Sequence, residues 1–86
     1  MPLELTQRFT QQYRKMPQVT QKKVDKALLL LDEDFRHPGL HSHPVQGALG
    51  VFEAYVDRKY RFTFERRGNL LMVRNLDNND ACLRNL

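Results

Sequence analysis

Three places in this chain of 86 residues carry side chains able to do chemistry: Arg61 within Tyr60-Arg61-Phe62-Thr63-Phe64, the histidines at 37, 41 and 43, and the run Asn78-Asn79-Asp80. Aromatic residues at 60, 62 and 64 fall on one side of a β-strand, so Arg61, Thr63 and Glu65 must face the other. An arginine fixed mid-strand on the open face of a sheet is a planar, permanently charged donor on a rigid support. That suits a phosphate better than a flexible lysine would. The competing structural reading is an ion pair with Glu53 or Glu65. Imidazole, with an unperturbed pKa of about 6.5, can give or take a proton near neutrality. His41 sits two residues before His43 and would share its side of an extended chain. Judged on the loop alone, these histidines read as caps. His37, His41 and His43, with Cys82 as a fourth group, have loose metal-ligand spacing. No Cys-x-x-Cys or helix-borne histidine pair supports it, so no metal is expected.

The elements that must position these groups follow from apolar spacing. Leu3 to Leu5 reads as a short strand, and Thr6 as the N-cap of a helix running to about Met16, with Phe9, Tyr13 and Met16 on one stripe. Pro17 can open a second helix at its first turn. Val24, Leu28, Leu31 and Phe35 repeat there at four, three and four, widened by Ala27 and Leu30, while Gln21, Lys22, Lys23, Asp25 and Lys26 take the wet side. Helices joined this closely form an antiparallel hairpin. His37 to Gly50, rich in Pro and Gly, is loop or irregular extended chain. Val51 to Val56 alternates as a half-buried strand, with Phe52, Ala54 and Val56 against Val51, Glu53 and Tyr55. A Asp57-Arg58-Lys59 turn leads into the Tyr60 strand, and Gly68-Asn69 signals a hairpin before Leu70 to Leu76. Three strands make an antiparallel meander whose apolar face the helices must cover. The fold class expected is α+β, an N-terminal helical hairpin packed on a small antiparallel sheet. Residues 77–86 read as too polar for core, yet well placed to bring side chains to the open face beside Arg61.

Length allows one domain, residues 1–86, with a single small core. Fourteen Lys and Arg against ten Asp and Glu give a net charge of +4, which favours a polyanionic partner or an acidic protein. No run of about 18 apolar residues is present, and the sequence MPLELTQRF lacks the charged and apolar regions of a secretory signal. No membrane association is expected, and the location expected is cytoplasmic. The lone Cys82 cannot form an internal disulfide, consistent with a reducing compartment.

Taken in order, the segments QRFTQQYRKMPQVTQKKVDKALLLL, RHPGLHSHPVQG, VFEAYVDRKYRFTFER and LLMVRNLDNNDACLRN resemble the RelE/ParE superfamily of bacterial type II toxins, in the branch of RelE-like translational repressors. The resemblance spans nearly the whole chain. It implies a compact domain used to cut messenger RNA in the ribosomal decoding site and held inactive by a cognate antitoxin: a metal-independent endoribonuclease, or mRNA interferase, with no small-molecule cofactor. Some relatives poison DNA gyrase instead, so the alternative is a non-nuclease relative, either a gyrase-directed ParE-like toxin or a catalytically silent antitoxin-binding domain.

Metal-free RNA cleavage needs a base for the 2′-hydroxyl proton, a cation for the phosphorane and an acid for the leaving 5′-oxygen. The resemblance assigns the cation to Arg61, the strand arginine. It assigns proton transfer to His43, where RNA-cleaving relatives carry Lys, Glu or His. Where relatives commonly have His in an Asn-His-Asp motif, this chain has Asn79, followed by Asp80. A carboxamide can bind a phosphate oxygen but cannot exchange a proton near neutrality, so weakened activity is expected unless Asp80, His41 or His43 substitutes. Around this site Tyr55 is a candidate for stacking on bases, Glu53 for a base on the open face or a surface partner of Arg61, and Arg74 for extending the phosphate track. Lys22, Lys23 and Lys26 read as a solvated face or as contacts to ribosomal RNA. Tyr60, Met72 and Cys82 read as packing.

Overall fold

Thr6 sets where the first helix begins. In the computed structural model, which describes residues 1–78 together with Ala81 and Cys82, Thr6 Oγ1 accepts from Phe9 N at 3.1 Å and donates to Arg74 O at 2.9 Å. One hydroxyl thus caps α1 (Gln7–Arg14) and ties it to the sheet. Pro17, in an extended conformation, precedes α2 (Gln18–Glu33). The helices are joined by Tyr13, whose hydroxyl donates to Asp25 Oδ1 at 2.6 Å, and by Gln21 Nε2 donating to Tyr13 O at 2.9 Å. The Asp25 bond, with some burial, raises the Tyr13 pKa above 10.0, so the hydroxyl stays a donor.

The strands are β1 (Leu3–Leu5), β2 (His43–Pro44), β3 (Val51–Tyr55), β4 (Tyr60–Arg67) and β5 (Leu70–Asn78), in the order β1-β5-β4-β3-β2. The meander expected from the alternation is β3–β4–β5. Two short edge strands extend it, and β1 pairs parallel with β5, so the sheet is mixed. Gly68, at φ 59°, opens the two-residue turn between β4 and β5, a conformation that suits glycine.

β1 covers β5 only from Leu71 to Val73. Beyond it the Gln12 side chain takes the place of a strand. Its Oε1 accepts from Leu76 N, and its Nε2 donates to Asn75 Oδ1, both at 2.7 Å. This satisfies backbone on a sheet edge that would otherwise be exposed.

Phe62 and Phe64 lie at the centre of the core with Ala54, Leu71, Val73 and Leu76 on the same side of the sheet, under Phe9, Val24, Ala27 and Leu31 from the helices. Phe9 meets Phe62 edge-on at 6.3 Å, and Phe52 stacks on Phe64 at 5.3 Å. Each large side chain so buried contributes on the order of 2 kcal/mol. A 3-10 turn (Pro38–Leu40) buries Leu40 beside α2 and delivers the chain to β2. His37 Nδ1 accepts from Gly39 N at 3.0 Å and so caps this turn, a role expected of His41 and His43 rather than of His37.

Candidate functional site

The cross-strand register decides which residues meet on the face away from the helices. Tyr55 pairs with Arg61 and Arg61 with Asp77, while His43, Glu53, Thr63 and Asn75 form the neighbouring row across four strands. Arg61 is therefore on the open face, as its alternation required. It is half-buried, and its Nη1 donates to the carbonyls of Tyr60, at 3.0 Å, and Asp57. Its carbon lies 4.6 Å from the Tyr55 ring centroid. The expected structural alternative, an ion pair with Glu53 or Glu65, is not what forms. Glu65 is taken by Arg67 and Arg74, Glu53 faces His43, and the ion pairs among the described residues leave Arg61 out. A guanidinium has five N–H donors, so among the described residues Nη2 and Nε are left for an anion while backbone carbonyls and an aromatic ring hold the group in place.

The turn that receives Nη1 is organised by Asp57, which the sequence reading did not single out. Its Oδ1 accepts from Lys59 N at 2.9 Å and Tyr60 N at 2.8 Å, and its Oδ2 pairs with Lys23 at 3.4 Å. Partial burial pushes the Asp57 pKa up, but the Tyr60 and Lys59 amides and Lys23 outweigh that and hold it below 3.8. An aspartate at the head of a tight turn was the available signal.

Both histidines come to Arg61. His41, His43, Glu53, Ala54, Tyr55 and Arg61 line one groove of about 290 Å³. The expected shared side of an extended chain is not how His41 arrives. It adopts a left-handed conformation, φ 46°, as the C-cap of the 3-10 turn, and its ring meets Tyr55 edge-on at 5.5 Å. His43 Nδ1 lies 3.3 Å from His41 O and its Nε2 lies 3.5 Å from Glu53 Oε1.

Glu53 corrects the sequence reading most. Its direction is that of an open-face residue, but it is 4% exposed rather than a surface carboxylate, and its Oε2 has no hydrogen-bond partner among the described residues. The stretch after β5, read as too polar for core, has buried residues at the two positions described beyond Asn78. These are Ala81 and Cys82, and Cys82 Sγ lies 3.6 Å from the carbonyls of Arg61 and Asn75. Burial, and then the charge of Glu53, push the Cys82 thiol up to about 12. It packs, as expected, and is poorly suited to act as a nucleophile.

A second groove, of about 230 Å³, is lined by Lys23, Lys26, Ala27, Leu30, Gly39, Tyr55 and Val56, so Tyr55 divides it from the first. Lys22 is exposed on α2 outside either lining. Arg74, the extra residue where the β4–β5 register shifts, reaches Glu65 at 3.3 Å and not the histidine groove. Tyr60, expected in the core, is only half-buried, with Lys59 over its ring at 5.2 Å. Asn79 and Asp80 lie outside the described residues. Two larger hollows, of about 460 and about 350 Å³, sit between β1 and the helices among Leu3, Leu5, Leu28 and Leu29, away from Arg61 and the histidines.

No protein-family model matches the chain, and no curated protein matches it. Solved structures do. A chain of the archaeal RelE–RelB complex from Pyrococcus horikoshii OT3 superposes with TM-score 0.75 at 8% identity, over 90% of this chain and 92% of that one. The YoeB/ParE toxin from Agrobacterium tumefaciens gives 0.77 at 15% identity, over 92% and 99%. The fold is the RelE/ParE toxin fold. A chain of the E. coli DinJ–YafQ toxin–antitoxin complex also matches, at TM-score 0.71 and 18% identity over 92% of each chain. At these identities the likeness is one of architecture, and within the RelE/ParE fold the β3–β4 pair and the loop before it are what gather Arg61, Tyr55 and the histidines. No helix among the described residues is long and apolar enough to cross a membrane.

Proposed function

We propose that this chain is the toxin of a type II toxin–antitoxin pair, a cytoplasmic, metal-independent endoribonuclease that cuts messenger RNA on the ribosome. The observation that supports it is the groove in which Arg61, free of any carboxylate partner among the described residues, shares its walls with His41, His43 and Tyr55. The RelE/ParE fold beneath it, seen in a YoeB/ParE toxin and in a toxin–antitoxin complex, gives the same direction.

In this reading Arg61 binds the scissile phosphate through Nη2 and Nε and stabilises the charge that builds on the phosphorane. His43 moves a proton, and Tyr55 offers a face to a base beside the phosphate. Lys23 and Lys26, across the second groove, and exposed Lys22 contact nucleic-acid backbone. Asn79 cannot exchange a proton, which removes a contribution of about 10²- to 10⁴-fold if a histidine there serves as acid. The partner is an antitoxin that covers this face by helix-in-groove or strand-addition contacts.

Controlled expression tests the reading. Arrest of translation with new mRNA 5′ ends at codons in the ribosomal A site is expected. An SOS response with supercoiling defects and intact mRNA would replace it with a gyrase-directed function.

A further inference from the structure

Among the polar residues on the open face, Glu53 is the charged one whose environment the proposed chemistry leaves unexplained, and Thr63 Oγ1 beside it is likewise buried without a hydrogen-bond partner among the described residues. Glu53 is a carboxylate in the floor of the groove, with a side chain 6% exposed, and Oε2 finds no partner among the described residues. Such burial is unfavourable, and a scaffold needing only stability would be served as well by an apolar side chain. Across the row it sits between His43 and Thr63, and the side chain its Oε1 meets is the His43 imidazole.

Both ring nitrogens of that imidazole face oxygen atoms. Nδ1 faces the His41 carbonyl at 3.3 Å, and Nε2 faces Glu53 Oε1 at 3.5 Å. A carbonyl only accepts, and so does an ionised carboxylate. A neutral imidazole has one N–H and can satisfy one of the two, whereas the imidazolium satisfies both. The other charged and titratable groups around the ring are the His41 side chain from the loop, Tyr55 from β3 and Arg61 from β4. Of these Arg61 opposes a second cation, and Glu53 is the group that offsets it.

We infer that Glu53 is a positioning residue for His43: its buried carboxylate holds a proton on Nε2 while the His41 carbonyl holds one on Nδ1, so His43 enters the groove as proton donor. This rests on the endoribonuclease reading and assigns His43 the acid half of the reaction. As the 2′-oxygen bonds to phosphorus and the bond from phosphorus to the 5′-oxygen breaks, a His43 proton passes to the departing 5′-oxygen. The 2′-hydroxyl proton passes to water, and the imidazole is reprotonated from solvent. Both contacts to the ring are long, so it is oriented without being locked.

Two-bond ¹H–¹⁵N spectra of the imidazole, recorded on the purified protein without RNA near neutral pH, read which His43 nitrogens carry protons. Both are expected to be protonated in the wild type, and one in Glu53→Gln. A wild type with a single protonated nitrogen overturns the inference, whether or not the variant folds, and so does an unchanged pattern in a folded Glu53→Gln. Because this readout needs no substrate, it stands apart from the endoribonuclease reading, which fails separately if no RNA is cut. With RNA, Glu53→Gln is expected to lower the cleavage rate about 10²-fold, at the low end for loss of a general acid. The fall in rate toward high pH should begin at lower pH. A rate loss with an unmoved pH profile would mark a merely structural role.

Discussion

The Arg61 guanidinium lies on the Tyr55 ring, 4.6 Å from carbon to centroid, with Nη1 bonded to the Asp57 and Tyr60 carbonyls. Position is thus set on two sides by groups that do not neutralise the charge. Tyr55→Ala removes one of them together with the face offered to a base, and losing a stacking contact of about 1–3 kcal/mol weakens RNA binding by about 5-fold or more. Tyr55→Phe keeps the ring face and should bind like the wild type. Fluorescence anisotropy with a short single-stranded RNA distinguishes them.

Asp57 supports the same arginine from below. Asp57→Ala removes the bonds to Lys59 N and Tyr60 N and should cost about 1–2 kcal/mol in urea denaturation. The pH dependence has a definite sign. The folded-state pKa of Asp57 lies below its ordinary value of 3.8, so its contribution is fully present above that value and is lost as pH falls through the lower, folded-state one. Stability measured from neutral pH down to about pH 2 should therefore drop less steeply below about pH 4 in Asp57→Asn than in the wild type.

Cys82 tests whether the chain after β5 packs onto the polar row. A thiol that is fully buried and pushed up to about 12 by burial and by Glu53 is a poor thiolate source. An aromatic disulfide reagent at mildly alkaline pH should label the native protein orders of magnitude more slowly than the protein in urea. Rapid native labelling would show that Cys82 is not held against the Arg61 and Asn75 carbonyls.

Much of the fold was legible because apolar spacing has a period. Phe9 and Tyr13 on one helix, Val24 and Leu31 on the next, and Phe62 and Phe64 in the strand all fell on the faces their spacing required. Three features had no such signal. A three-residue β1 carries too little pattern to show whether it pairs parallel or antiparallel. The left-handed His41 depends on a single φ that the neighbouring sequence does not announce. Glu53 points where alternation says, but alternation fixes only a direction and not the depth at which the carboxylate is buried.

Asn79 is the residue by which this chain departs from the Asn-His-Asp pattern its sequence resembles. A histidine there adds a second proton donor beside His43, so Asn79→His should raise mRNA cleavage by about 10²-fold or more and sharpen toxicity on expression. An unchanged rate would show that the chain's catalysis does not pass through this position.

The central claim concerns Arg61, and 5′-end mapping of mRNA in a purified translation system tests it most directly. Wild-type protein should give new ends at A-site codons, and Arg61→Ala should give none while keeping the wild-type circular dichroism spectrum and midpoint of unfolding. Undiminished cutting by a folded Arg61→Ala would contradict the account.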